Sequence, residues 1–238
     1  MEPLNRIPAT PFAGPSVATA ERATTFLRSV YGWMCAGLAI TALVAYSIAS
    51  TPGLVQTLVT NRLLFLGLFV AQIGLVFYLS ARVDRITPGT ATLLFIGYAA
   101  LTGVTLSIIV LAYTGASIAT TFVVTAGMFG ALALYGSTTK RSLAGAGQFF
   151  FMGLIGLILA SIVGMFWHSQ ALQFLISVVG VIVFTGLTAW DAQRLKQMAA
   201  TLPAGQVGSY AILGALSLYL NFINLFLFML RFMGGRRQ

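Results

Sequence analysis

The chain has 238 residues, of which 58% are hydrophobic and only 7% charged, with a formal net charge of +9. A soluble domain carries about 25% charged residues, so this composition excludes a water-solvated globule and demands an apolar solvent. The basic residues stand singly or in pairs between long apolar runs, with no amphipathic basic face, which excludes a nucleic-acid partner and leaves the charge as a topology signal.

In chain order, the first 25 residues are rich in Pro, Ala and Thr and lack the continuous apolar core of a cleavable signal peptide. They predict a short flexible cytoplasmic tail over residues 1–28, followed by one seven-helix transmembrane domain over 29–238. A spanning helix needs about 20 apolar residues. Seven stretches qualify: Tyr31–Ser50, Leu63–Ser80, Ala91–Ala112, Ile118–Tyr135, Phe149–Trp167, Ala171–Trp190 and Ala211–Met233. The first six contain no Asp, Glu, Lys or Arg, and the seventh has only Arg231, close enough to its end to snorkel. A barrel strand would alternate in hydropathy, and LLFLGLFVAQIGLVF does not, so the spans are helices and the fold class is all-α. Turn-forming residues separate them, as in Thr51-Pro52-Gly53, Tyr113-Thr114-Gly115 and His168-Ser169-Gln170. The longest connection, about 191–210, holds Pro203 and Gly205.

Cytoplasmic loops are enriched in Lys and Arg. With the N-terminus inside, the inner segments hold Arg6, Arg22, Arg28, Arg82, Arg85, Lys140, Arg141, Arg194 and Lys196. The outer ones hold Arg62, Arg231, Arg236 and Arg237, so the balance predicts N-in and C-out. The basic C-terminal tail is discordant, and a six-span arrangement with one re-entrant segment would place it inside. Glycines at helical spacing, such as Gly127 with Gly130 and Gly153 with Gly156, read as close helix packing within the bundle or as a dimerisation seam. Cys35, the single cysteine, reads as a small packing residue of the first span and excludes an intrachain disulfide.

Only four acids exist, and one of them, Asp191, directly follows Trp190 at the end of the sixth span. An intramembrane acid is a functional candidate, whereas an interfacial one is simply paired along its helix with Arg194 or Lys196. Asn221 lies about 15 Å beyond Ala211, near the midplane, where lipid offers its amide no partner. Asn224 sits on a similar face, and Gln72 is a third buried amide midway along the second span. Each reads either as a site residue or as an interhelical tie. Residue types exclude several enzymes. One carboxylate cannot make an intramembrane aspartyl protease, the sole histidine (His168) is in a loop, and no lysine lies within a span. The chain is therefore read as a non-enzyme with no tightly bound cofactor.

Four stretches, VYGWMCAGLAITALVAY, TFVVTAGMFGALALYGSTTKRSL, GVIVFTGLTAWDAQRLK and ALSLYLNFINLFLFMLRFMG, resemble the Bax inhibitor (TMBIM) family, in particular its bacterial branch. The resemblance covers about Ser29 to Arg237. It implies a multi-pass protein of the bacterial inner membrane with seven helices, the seventh central and surrounded by the other six. It further implies a pH-regulated cation leak with calcium as the permeant or transiently bound ion, sensed by paired carboxylates on the sixth and seventh helices. Asp191 matches the first carboxylate and would be the calcium ligand, while the second position holds Asn221. This pair keeps a hydrogen bond but only one titratable site, which predicts weaker calcium binding and a shallower or shifted pH response. Arg82 is the expected counter-charge or latch beside it. The other reading is a non-conducting regulator whose partners, beyond the bilayer, are membrane proteins such as a quality-control protease.

Overall fold

The computed structural model describes residues 17–167 and 169–235, which fold as an all-α membrane protein. Its helices are α1 (Val17–Ala49), α2 (Pro52–Thr60), α3 (Arg62–Arg82), α4 (Pro88–Ala112), α5 (Gly115–Thr138), α6 (Ala144–Phe166), α7 (Gln170–Ala199) and α8 (Val207–Met233). No strand occurs among the described residues. All except α2 are long and apolar enough to cross a membrane. The shortest of these seven, α3, has 21 residues, enough by length and composition to span.

The turn residues that separate the apolar runs act as helix caps. Thr87, Thr114 and Ser169 each accept a hydrogen bond from a backbone N–H of the following first turn, and Asn61 does the same for α3. Pro88 occupies the first turn of α4, where its missing N–H costs nothing. Two differences from the sequence reading stand out. The short helix α2 fills the α1–α3 connection, where only a turn is expected. The first helix starts at Val17, so residues 17–28, read from composition as tail, are helical. Ala-rich sequence favours helix there, and Phe26 and Val30 are buried in the core, which anchors the extension. Residues 1–16 and His168 lie outside the described residues.

Helix α8 is the central element, with more of its length buried than any other span. An outer helix needs one apolar stripe facing the core, whereas α8 is packed nearly all round. Ala211, Ala215, Leu218, Tyr219 and Leu225 are all 0–1% exposed. Helices α1, α4, α5 and α7 pack directly on it, while α3 and α6 complete the shell from outside, against α4 and α7 respectively.

Glycine permits the closest approaches, the tightest of them at positions that spacing did not single out. A Cβ on Gly136 would strike the backbone of Ala189, so α5 meets α7 backbone to backbone two residues from Asp191. One on Gly214 would come within 2.6 Å of Leu195. Of the glycines that spacing singled out, Gly153 packs close to Val183, whereas Gly127, Gly130 and Gly156 face open space; Cys35 is exposed rather than packed.

Candidate functional site

Two adjacent spans bring the scarce polar groups together. The α3–α4, α5–α6 and α7–α8 connections share one end of the bundle, which also carries Arg82, Arg85, Lys140 and Arg141. Asp191 lies eight residues before the end of α7, about 12 Å in from that end. Asn221 stands at the middle of α8. The two helices pack antiparallel across a short connection, which sets the Asp191 carboxylate against the α8 midpoint.

Oδ2 of Asp191 accepts two hydrogen bonds, both 2.7 Å, from Nδ2 of Asn221 and Oγ of Ser217. Asp191 is 7% exposed and Asn221 6%. Ser217 precedes Asn221 by four residues and so shares its face of α8. That spacing was visible in the sequence, yet a serine in a small-residue helix reads as packing until its partner is known. The other oxygen, Oδ1, lies 3.9 Å from Nη1 of Arg194, whose side chain is 53% exposed and stacks over Trp190. At that exposure the ion pair contributes little. The carboxylate is therefore held chiefly by two neutral donors from the central helix.

A narrow crevice of about 30 Å³ reaches this carboxylate, lined by Arg194, Leu195, Met198, Tyr210 and Ser217. It holds one or two waters' worth of space. The hydroxyl of Tyr210 donates to Oδ1 of Asp84 at 2.7 Å, and Ser209 Oγ donates to the Ile86 carbonyl at 3.0 Å. These bonds tie the start of α8 to the α3–α4 connection beside the crevice.

The other sequence-derived candidates fall elsewhere. Asn224 turns its amide to the Leu220 carbonyl of its own helix at 2.8 Å. Gln72 donates to Thr105 Oγ1 at 3.1 Å and ties α3 to α4. Arg82 is exposed at the end of α3 and forms no ion pair with Asp191; among the described residues Arg194 takes that place. Lys196, the alternative partner, instead donates to the Ser137 carbonyl at 2.6 Å. No cluster of three His, Cys, Asp or Glu occurs among the described residues, so a cation here would rely on one carboxylate supplemented by hydroxyl, amide and carbonyl oxygens.

A second polar knot lies on another face of α8. Thr41 Oγ1 donates to the Ala99 carbonyl at 2.8 Å and, with its hydrogen so committed, accepts from the Tyr219 hydroxyl at 2.7 Å. Tyr219 is fully buried, with Phe95 and Tyr98 edge-on to its ring. This knot joins α1, α4 and α8, and the sequence reading missed it.

The sequence model of the family described as "Inhibitor of apoptosis-promoting Bax1" matches residues 23–238. The chain is 52% identical over 216 residues to "Inner membrane protein YbhL" of Escherichia coli, covering 90% of this chain and 92% of that protein. It is 44% identical over 215 residues to an uncharacterized protein of Borreliella burgdorferi, covering 90% and 93%. A third relative, an uncharacterized protein of Deinococcus radiodurans, is 43% identical over 219 residues, covering 92% and 94%.

Proposed function

Because the chain belongs to the Bax inhibitor family, we propose that it is a pH-regulated calcium or cation leak of a bacterial inner membrane, with a single-carboxylate sensor. The N-terminus faces the cytoplasm, as the Lys and Arg balance favours, and the C-terminus faces out. The observation that carries this reading is the Asp191 carboxylate, buried beside the central helix, bonded to Ser217 and Asn221, and reached by a narrow crevice.

Charged Asp191 is a strong acceptor, and its bonds to the two α8 donors hold the helix in register. A proton on the carboxylate removes the charge assistance and loosens that tie. A cation arriving through the crevice competes for the same oxygens. Calcium would take Asp191 as its charged ligand, and Asn221 would swing its amide oxygen inward as a neutral one. In this scheme α8 is the element that moves. Two more buried hydroxyls, Thr125 on α5 and Thr185 on α7, have no hydrogen-bond partner among the described residues and lend polarity to the helices flanking α8.

The test is calcium flux in liposomes across pH, comparing the natural chain with Asn221→Asp. In the natural chain the tie is firmest when Asp191 is charged. In the variant two carboxylates meet, and the tie needs a shared proton. The two pH profiles should therefore differ in sense or steepness, and superimposable profiles would remove the reading.

One observation favours a second reading, a non-conducting regulator that binds other membrane proteins. With Asn221 in place of a second acid, the sensor has lost one of its two titratable groups, which a purely structural tie does not need. Flux in purified liposomes separates this from the first reading.

A further inference from the structure

Two recesses meet at Ser137, and their chemistries are complementary. One is an apolar groove of about 450 Å³ between α1 and α5, with Met34, Leu38, Phe122, Phe129 and Leu134 in its walls and Phe222 of α8 at its floor. The other, about 300 Å³, lies over the α5–α6 connection and is lined by Lys140, Arg141 and Lys196. Ser137 lines both, so the groove runs directly into the basic recess. Among the described residues, neither lining contains an acidic one.

The basic recess is a built feature rather than a loose loop. Gln193, 7% exposed, donates from Nε2 to the Arg141 carbonyl and accepts from the Leu143 N–H through Oε1, both at 2.8 Å. Lys196 is fixed by its bond to the Ser137 carbonyl and keeps two further N–H donors. Lys140 and Arg141 are exposed on the connection that Gln193 holds. The groove wall is thinned by Ala126, Gly130 and Ala133, and Gly130 looks into open space.

An apolar trough opening into a cluster of cations at the end of a membrane-spanning bundle matches one amphiphile, an anionic lipid. We propose that the composite site binds an anionic phospholipid of the leaflet on that side. One acyl chain lies in the α1–α5 groove, and the phosphate-bearing head group sits among Lys140, Arg141 and Lys196. This inference is independent of whether the protein conducts ions.

The test uses the full chain in detergent, titrated with phosphatidylglycerol or phosphatidylethanolamine of matched chains and read by native mass spectrometry. Phosphatidylglycerol should be retained with a preference of about tenfold or more, since each cation near the head group adds appreciable attraction. Lys140→Gln with Arg141→Gln should abolish that preference, and Lys140→Arg with Arg141→Lys should keep it. Gly130→Leu, whose Cβ meets open space and whose side chain occupies the groove, should weaken retention of both lipids. Arg82→Gln with Arg85→Gln removes equal charge elsewhere on the same end and should change nothing. Free glycerophosphoglycerol, which lacks chains, should not compete. Cys35 lines the groove and gives a second readout, because its alkylation by a maleimide should slow as phosphatidylglycerol is added. A preference that survives the loss of Lys140 and Arg141, or that falls equally with Arg82 and Arg85, overturns the proposal. So does unchanged lipid retention by a folded Gly130→Leu variant, or a protein subunit found occupying the groove.

Discussion

A double-mutant cycle on Asp191 and Asn221, each changed to Ala, measures the bond on which the site rests. Their 2.7 Å contact joins a neutral amide to a carboxylate, with both residues more than nine-tenths buried. Hydrogen bonds to charged groups contribute about 1.5–3 kcal/mol in soluble proteins. Interhelical bonds within membranes average about 0.6 kcal/mol, with a maximum near 1.7, because the membrane-bound unfolded state also finds partners. Three features push this pair toward the upper end. The acceptor carries charge, its cationic neighbour Arg194 is distant and exposed, and the crevice admits little water. A fourth pulls downward, since Ser217 remains as a donor when Asn221 is lost. The expected coupling is about 1–1.5 kcal/mol, roughly fivefold to twelvefold in the unfolding equilibrium. Steric-trapping or detergent-titration unfolding of the four proteins in bicelles gives the number. A coupling below about 0.3 kcal/mol would refute the reasoning, because additivity at that level belongs to residues that do not interact.

Three further outcomes rest on separate contacts. Tyr219→Phe removes the bond to Thr41 but leaves Thr41 with the Ala99 carbonyl, so it should cost about 1 kcal/mol in the same unfolding assay. Gly136→Ala drives a methyl into the Ala189 backbone and should destabilise by about 1–3 kcal/mol, whereas Gly130→Ala, facing open space, should be silent. Gln193→Leu withdraws both bonds that hold the α5–α6 connection, so hydrogen exchange at the Leu143 amide should accelerate by about tenfold or more while α8 amides stay protected.

The seven spans were legible because apolar length is set by bilayer thickness and leaves little room for ambiguity. Asp191 and Asn221 were legible for a related reason: a polar side chain in a run such as GVIVFTGLTAWDAQRLK is conspicuous. What stayed hidden is what depends on rotation about the helix axis. Gln72, Asn221 and Asn224 are alike as letters, yet only Asn221 turns toward α7, while Asn224 folds back on its own carbonyl. Arg82 and Arg194 both lie at the same end of the bundle, and helical phase brings only Arg194 to Asp191. Glycine spacing was a partial guide, marking Gly153 but not Gly127, Gly130 or Gly156, because a small residue marks a close approach only when a neighbour faces it. Ser217, Tyr219 and Gln193 were missed since serine, tyrosine and glutamine are common enough in spans and at their ends to carry no signal alone.

The two functional readings part most cleanly at Asp191→Asn. The amide keeps the shape of the carboxylate, and its oxygen can still accept from Ser217 and Asn221, so the α7–α8 contact should survive with neutral bonds in place of charge-assisted ones. What disappears is the proton site and the negative charge. A conduit that senses protons or cations through this carboxylate must therefore lose its pH-dependent flux even though the bundle remains folded. A regulator that uses the contact only to hold α8 in place must keep its partners in native membranes. Asp191→Ala cannot make this distinction, because it strands two donors on the central helix and damages both activities. A folded Asp191→Asn protein with undiminished flux at every pH would show that ions pass, if they pass at all, by a route that never meets this carboxylate.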